Sequence, residues 1–367
     1  MQINKITLRN YRNYTDQEIC PAPGVNIFLG KNAQGKTNIV EAVRFAALGR
    51  SHRTARDAEL VKFGADEARA KIEFEKMGVS NTVELSFFTH GRLKARRNGG
   101  NIRRKDLVGA LNAVLFAPED LFLIKGAPDN RRRFLDAEMS QASPPYYAEL
   151  LTYTRLMKQR NTLLKDIRDG LADRRSLSLW TPQMIACAAK LVRRRLAAVK
   201  ELSGIAAALQ QRISGGAAEM SISYVLHGYD GEPDTTHLEQ WYEARMRENE
   251  ELDIIRGTTR IGPHRDDLSF TAGGTDLRAY GSQGQQRTAA LSLKLSELEF
   301  LRQAAGEYPV LLLDDVMSEL DLDRRRNLVG FIERENIQTL ITATDGSYFP
   351  DHIGKYWHVE NGHVTAE

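Results

Sequence analysis

Apolar and polar residues alternate around Val83, Leu85 and Phe87, with Gly78, Gly91 and Gly99-Gly100 marking turns. A period of two predicts half-buried strands, and the chain reads as strand-rich from residue 1 to about 115. From about 129 to 251 the period lengthens. Tyr146, Leu150, Tyr153, Met157, Leu164 and Ile167 fall at helical spacing, as do Val192, Leu196, Val199, Leu202, Ile205, Leu209 and Ile213. Two such helices can pair into a short antiparallel arm, with Asp169-Gly170 as a stop and Thr181-Pro182 as a start. Beyond about 252 the pattern returns to short strands, with a final strand over 339–342 and a turn at Asn361-Gly362.

Two apolar runs are continuous rather than alternating: Val25-Asn26-Ile27-Phe28-Leu29 and Val310-Leu311-Leu312-Leu313. Such runs predict parallel strands covered on both faces. The first leads into Gly30-Lys31-Asn32-Ala33-Gln34-Gly35-Lys36-Thr37, a complete phosphate-binding loop, and then a helix from Asn38. Its glycines let successive backbone N–H groups curl around phosphates, Lys36 carries charge to the β- and γ-phosphates, and the Thr37 hydroxyl is placed to ligate Mg²⁺. The helix start adds its positive end. The alternative is a plain glycine-rich turn, and the strand before and helix after argue against it. ATP and Mg²⁺ are the expected ligands.

The second run ends in Asp314-Asp315. Asp314 is read as the metal-side carboxylate, and Asp315 as the group that orients or deprotonates the attacking water. Alone, this pair would read as a helix cap or a surface turn. Between the two runs lies Tyr280-Gly281-Ser282-Gln283-Gly284-Gln285-Gln286-Arg287 before an apolar-patterned helix, and Ser318-Glu319-Leu320-Asp321 follows the second run. This order of elements resembles the ATP-binding-cassette (ABC) ATPases. That resemblance implies that Ser282, with Gln285, caps the γ-phosphate bound by a second copy of the chain, so that ATP drives homodimerisation. The other reading of Ser282 is a polar, N-capped turn without a ligand.

The expected fold is therefore α/β: an ABC-type P-loop head like that of the structural-maintenance-of-chromosomes (SMC) ATPases, built from both ends of the chain with a short helical insertion. The expected boundaries are 1–128 and 252–367 for the two parts of the head and 129–251 for the insertion. Pro144-Pro145, Pro182 and Gly215-Gly216 leave no room for a long coiled coil.

Pro118-Glu119-Asp120-Leu121-Phe122-Leu123-Ile124-Lys125-Gly126-Ala127-Pro128, Arg131-Arg132-Arg133-Phe134-Leu135-Asp136 and Gly262-Pro263-His264-Arg265-Asp266-Asp267 resemble the diagnostic stretches of the RecF family of bacterial DNA repair proteins. The likeness extends to residues 6–14 and to Gly49-Arg50-Ser51-His52-Arg53-Thr54. It implies an ATP-dependent dimer that binds double-stranded and gapped DNA and acts with RecO and RecR to load RecA. From residues alone, 262–267 reads equally as a salt-bridged turn or a ligand contact, and 118–128 as a switch loop or a packed base. Tyr11 and Arg12 are candidates, by analogy, for stacking on adenine or contacting phosphate. Asp315 stands where transport ATPases carry glutamate, Gln283 where glycine is usual and Thr344 where a switch histidine is expected, a set that predicts slow turnover.

Composition adds less. With 367 residues, 42% of them hydrophobic, the chain has length for two domains. Cys20 and Cys187 are isolated, without metal or disulfide spacing. No export signal or membrane-length apolar run is seen, so a cytoplasmic protein without a membrane partner is expected. Net charge is +3, but arginine clusters recur at 96–97, 103–104, 131–133, 174–175, 193–195 and 324–326. Together they suggest a phosphate-backbone surface, and singly each reads as a solvated helix face. Two alternatives stay open: an ATP-gated DNA scaffold without hydrolysis, and a cytosolic ATPase subunit of a transporter.

Overall fold

The computed structural model describes all residues except 215–218, 232 and 351–352. The chain forms two compact units, one of Met1–Phe122, Arg212–Gly215 and Ala290–Glu367, the other of Leu123–Gln211 and Gly216–Ala289.

In the first unit a six-stranded sheet has the order His363–Ala366, Gly354–Glu360, Val25–Leu29, Thr339–Ala343, Val310–Asp314, Ala113–Phe116. The last five run parallel, and only His363–Ala366 is antiparallel to its neighbour. Val310–Asp314 and Thr339–Ala343 are buried at every position, as their unbroken apolar character demands. Parallel strands bring all their C-terminal ends to one edge, so the loops after Val25–Leu29 and Val310–Asp314 meet there although almost 300 residues of chain separate them.

A second, antiparallel sheet has the order Tyr14–Ile19, Gln2–Tyr11, Glu67–Lys76, Val79–Phe88, Lys94–Arg97, Gly100–Ile102. Val83, Leu85 and Phe87 are buried on its inner face, where the alternation placed them. Helix Lys36–Leu48 shares one core with both sheets, and its Phe45 ring meets Phe87 edge-on at 4.9 Å.

The second unit holds helices Pro128–Ala142, Pro144–Arg168 and Leu238–Arg256, the helix Leu177–Ser214 as far as Gln211, and a sheet ordered Thr275–Asp276, Asp267–Ala272, Met220–Val225. Val192, Val199, Leu202 and Leu209 are buried on the expected face, while the side chain of Ile213 lies outside the described residues.

Three sequence expectations are corrected. Pro182 does not start a helix but lies inside Leu177–Ser214. A turn over Arg174–Ser176, capped by the Asp173 carboxylate, which accepts from the Arg175 N–H at 2.7 Å, starts the helix upstream, and Pro182, its sixth residue, leaves the Ser178 carbonyl without its backbone donor while the helix continues past it. Met220–Val225 is a strand within the stretch read as helical. It pairs with Asp267–Ala272 in the register Asp267↔Val225, which keeps residues 252–289 with the arm rather than the head. Finally, Thr339–Ala343 is not the last strand: Gly354–Glu360 and His363–Ala366 follow, joined at Asn361 (φ 48°) and Gly362 (φ 75°), the left-handed pair a two-residue hairpin requires.

Candidate nucleotide-binding site

The phosphate loop leaves the C-terminal end of Val25–Leu29 and turns into helix Lys36–Leu48 through Ala33 (φ 65°) and Gly35 (φ 118°). Gly35 is required twice over, since a Cβ there would stand 2.6 Å from Asn13 Nδ2 and 2.9 Å from the Tyr14 hydroxyl. At Gly30 a Cβ would meet the Val359 carbonyl oxygen at 2.2 Å. The loop is braced from outside: Asn13 Nδ2 donates to Gln34 O at 2.7 Å, Tyr14 OH to Gly35 O at 3.0 Å, and Asn361 N–H to Gln34 Oε1 at 2.7 Å.

Lys36 Nζ donates to the carbonyls of Gly30 (2.7 Å) and Lys31 (3.0 Å), holding the ammonium under the loop. Burial pulls its pKa below the ordinary lysine value, and the carboxylates of Asp315 and Asp314 oppose that shift. Thr37 Oγ1 donates to Asp314 Oδ1 at 2.9 Å, as does Thr342 Oγ1 at 2.7 Å. Burial raises the Asp314 carboxyl above the usual range despite these two bonds. A buried carboxylate met by two hydroxyls is an all-oxygen donor set short of positive charge, which suits a hard divalent cation. Asp315 sits in the left-handed region (φ 51°, ψ 13°), its N–H donating to Thr342 Oγ1 at 2.9 Å. Lys31, Asn32 and Ala33 are exposed on the loop, and Asn38 Nδ2 donates to Asn13 Oδ1 at 2.8 Å.

The site opens onto a cavity of about 1010 Å³ whose walls include Asn32, Lys36, Thr37, Arg53, Phe63 and Asp315. Several of its residues escaped sequence reasoning. Arg53 donates to Asn38 Oδ1 at 2.8 Å, and Phe63 projects fully exposed from the turn Lys62-Phe63-Gly64. In a strand-rich stretch a phenylalanine reads as core, so no local signal marks Phe63. Tyr11 is corrected: its side chain is fully buried with its ring 5.8 Å from that of Phe87, so it cannot stack on a base. Arg12 reaches the cavity wall but is clamped by both Glu41 oxygens at 2.9 and 2.7 Å. Thr344 is exposed just beyond Thr339–Ala343.

Ser282 and Gln285 belong to the second unit, at the head of helix Gln283–Ala305. They form a reciprocal cap: Gln285 N–H donates to Ser282 Oγ at 3.2 Å, and Ser282 N–H to Gln285 Oε1 at 2.8 Å. Both oxygens are acceptors here, so the Ser282 O–H and the Gln285 side-chain N–H groups remain as donors.

Residues 262–267 form a packed turn. Asp267 accepts from Arg131 Nε (2.7 Å) and Nη2 (2.8 Å), Arg195 donates to Pro263 O at 2.7 Å, and buried Asp266 accepts from His227 N–H at 3.0 Å. His264 Nε2 donates to Thr259 O at 3.0 Å, so its Nδ1 accepts from Tyr153 OH at 2.7 Å, and burial lowers this histidine to about 4. Burial raises Asp266 to about 6. In the segment 118–128, Pro118–Phe122 is a 3-10 turn, and Lys294, buried in helix Gln283–Ala305, lies 2.8 Å from Glu297 and 3.8 Å from Asp120.

The arginine clusters are largely neutralised. Arg103, Arg104, Arg131, Arg133, Arg174, Arg193, Arg194, Arg195 and Arg324 all sit in ion pairs, so much of the positive charge of the clusters is locally balanced by carboxylates. Among the described residues no helix is long and apolar enough to cross a membrane.

Residues 2–358 match the model of the RecF/RecN/SMC N terminal domain. The chain belongs to the RecF/RecN/SMC family. Within that family it is 42% identical over 357 residues to the DNA replication and repair protein RecF of Heliobacterium modesticaldum, covering 97% of this chain and 96% of that one. It is also 42% identical to the RecF of an Exiguobacterium species over the full length of both. Among solved structures, the recombination mediator protein RecF-ATP in the RecFOR pathway superposes with a TM-score of 0.91 at 32% identity, over 100% of this chain and 97% of that one. An SMC head bound to the C-winged helix domain of ScpA gives 0.58 at 16% identity and covers 100% of this chain and 97% of its own, a likeness of fold alone. The head is thus the ABC-type α/β fold expected from the order of the motifs.

Proposed function

We propose that this protein is an ATP-dependent DNA-binding protein of recombinational repair and replication restart, an ATP-driven homodimer that clamps double-stranded DNA at gaps. With RecO and RecR it would help load RecA on single-stranded DNA. The reading rests on one observation above all: Thr37, Asp314 and Thr342 converge beside a phosphate loop whose lysine is already in place.

In this mechanism Lys36 and the loop N–H groups of residues 31–37 hold the β- and γ-phosphates of ATP. Thr37 and Asp314 would hold Mg²⁺, which neutralises charge developing on the phosphates. Asp315 orients the attacking water. Its side chain is one methylene shorter than glutamate, which sets water farther from it and slows turnover. Ser282 and Gln285 of the second copy donate their remaining O–H and N–H groups to the γ-phosphate, so the dimer closes only on a triphosphate. Slow hydrolysis then times release.

The test is fluorescence anisotropy with duplex, single-stranded and gapped DNA, with and without ATP and Mg²⁺. ATP-dependent binding to duplex or junction is expected, and equal failure on every DNA by a protein that binds ATP would overturn the proposal. Asp315→Asn should lower phosphate release by about 100-fold or more while ATP-bound dimers persist, since only the water-orienting group changes. Unchanged release would exclude that role. Phe63, exposed at the mouth of the cavity, is assigned to the base. Phe63→Ala should weaken ATP binding about tenfold, the scale of one base–aromatic stack, and leave inorganic triphosphate binding unchanged. Equal weakening for both ligands would place Phe63 elsewhere.

A further inference from the structure

The arginines that made the sequence look basic are mostly spent on carboxylates, and this leaves open which cations meet DNA. Helix Pro144–Arg168 of the arm carries a different set. Arg155, Lys158 and Lys165 are exposed, and with Thr162 they fall on one narrow stripe of the helix. Among the described residues none of the three cations lies within ion-pair distance of a carboxylate. Flanking arginines behave otherwise: Arg168 is held by Asp169 at 2.8 Å, Arg174 by Glu250 at 2.6 Å, and Arg194 by Glu149 at 2.8 Å.

At the C-terminal end the stripe continues onto a neighbouring element. A Cβ built on Gly257, which caps helix Leu238–Arg256, would stand 2.6 Å from Lys165 Cγ, so the end of that helix, whose last residue is exposed Arg256, lies against Lys165. Arg256 too has no ion pair among the described residues.

We infer that this stripe of the arm helix is a contact surface for the sugar-phosphate backbone of duplex DNA. The inference rests on the DNA-clamp reading above and adds where the arm touches. From Arg155 to Lys165 the helix rises ~15 Å, and over that length a duplex carries about nine phosphate charges at ~1.7 Å of axis per charge. Unpaired cations release condensed counterions on contact, whereas paired arginines would first have to give up their carboxylates. A protein partner fits worse, because the core of a protein interface is depleted in charge and rich in large apolar groups, and here Thr162 is the only other residue between Arg155 and Lys165 on the stripe.

The experiment compares the full chain with the triple variant Arg155→Gln, Lys158→Gln, Lys165→Gln, measuring duplex affinity in ATP and Mg²⁺ across a salt series. Glutamine is a good helix former, so the fold should persist, checked by thermal melting and by ATP affinity. The slope of log affinity against log salt should flatten by about 2.7, near 0.9 for each phosphate no longer neutralised, with affinity at least tenfold lower at about 0.1 M salt. The control Arg174→Gln, Arg194→Gln removes paired arginines and should leave the slope unchanged. Wild type and triple variant binding duplex with equal slopes would overturn the surface alone. Equal flattening in the control would overturn it as well, by making the effect one of net charge. Absence of duplex binding by the wild type would overturn both this surface and the clamp.

Discussion

Lys36→Ala is expected to weaken ATP binding by about 100-fold, removing a charge-assisted contact worth ~2.7 kcal/mol. The ammonium is almost wholly buried and held on the carbonyls of Gly30 and Lys31, so little ordering remains to be done when phosphates arrive. Removing it also leaves those carbonyls without their donor, and the loop itself should loosen. Lys36→Arg should not rescue, because a planar fork cannot occupy a site shaped for a compact ammonium. Equilibrium titration with a fluorescent ATP analogue decides the point. Near wild-type affinity in Lys36→Ala would mean that the nucleotide binds elsewhere.

Ser282→Arg should abolish ATP-driven dimerisation while ATP affinity of the monomer stays within about threefold. Ser282 is exposed and its hydroxyl caps the helix Gln283–Ala305, so the substitution costs about 1 to 2 kcal/mol of local stability. The larger effect would lie across the proposed dimer, where a long side chain would occupy the space that reading gives to the partner's γ-phosphate. Ser282→Ala, which keeps the shape and removes only the O–H donor, should weaken the ATP dimer about tenfold. Sedimentation with ATP, ADP and no nucleotide reads both variants. A Ser282→Arg chain that still dimerises with ATP would sink the idea of a nucleotide sandwiched between signature and phosphate loop.

Local chemistry made much of the head legible. A phosphate loop needs its glycines, lysine and threonine within eight residues, so the whole device is visible from 30 to 37. The run Val310-Leu311-Leu312-Leu313 reads as a strand covered on both faces, and it is one. The reciprocal cap of Ser282 and Gln285 needs four adjacent residues and was likewise within reach of the sequence.

Contacts across long stretches of chain were not legible. Thr342 completes the oxygen set around Asp314 because two parallel strands put Asp314 opposite Thr342, a register no local pattern encodes. Asn13 and Asn361 brace the phosphate loop from 21 and 327 residues away along the chain, contacts that no local pattern encodes. Tyr11 drew attention as an aromatic near the start, yet the alternation of its own strand turns it inward, and the aromatic that lines the cavity is Phe63. The carboxylates that balance many of the clustered arginines were invisible as well, because a sequence shows charges without their partners.

The sequence by itself determined the phosphate loop, the class of fold and the presence of helices between the two parts of the head, since each depends on residue types at short, regular spacing. Which cations are free, which hydroxyls face Asp314 and where the arm begins and ends were decided only by tertiary structure, because ion pairing, burial and strand register join residues that the chain keeps far apart.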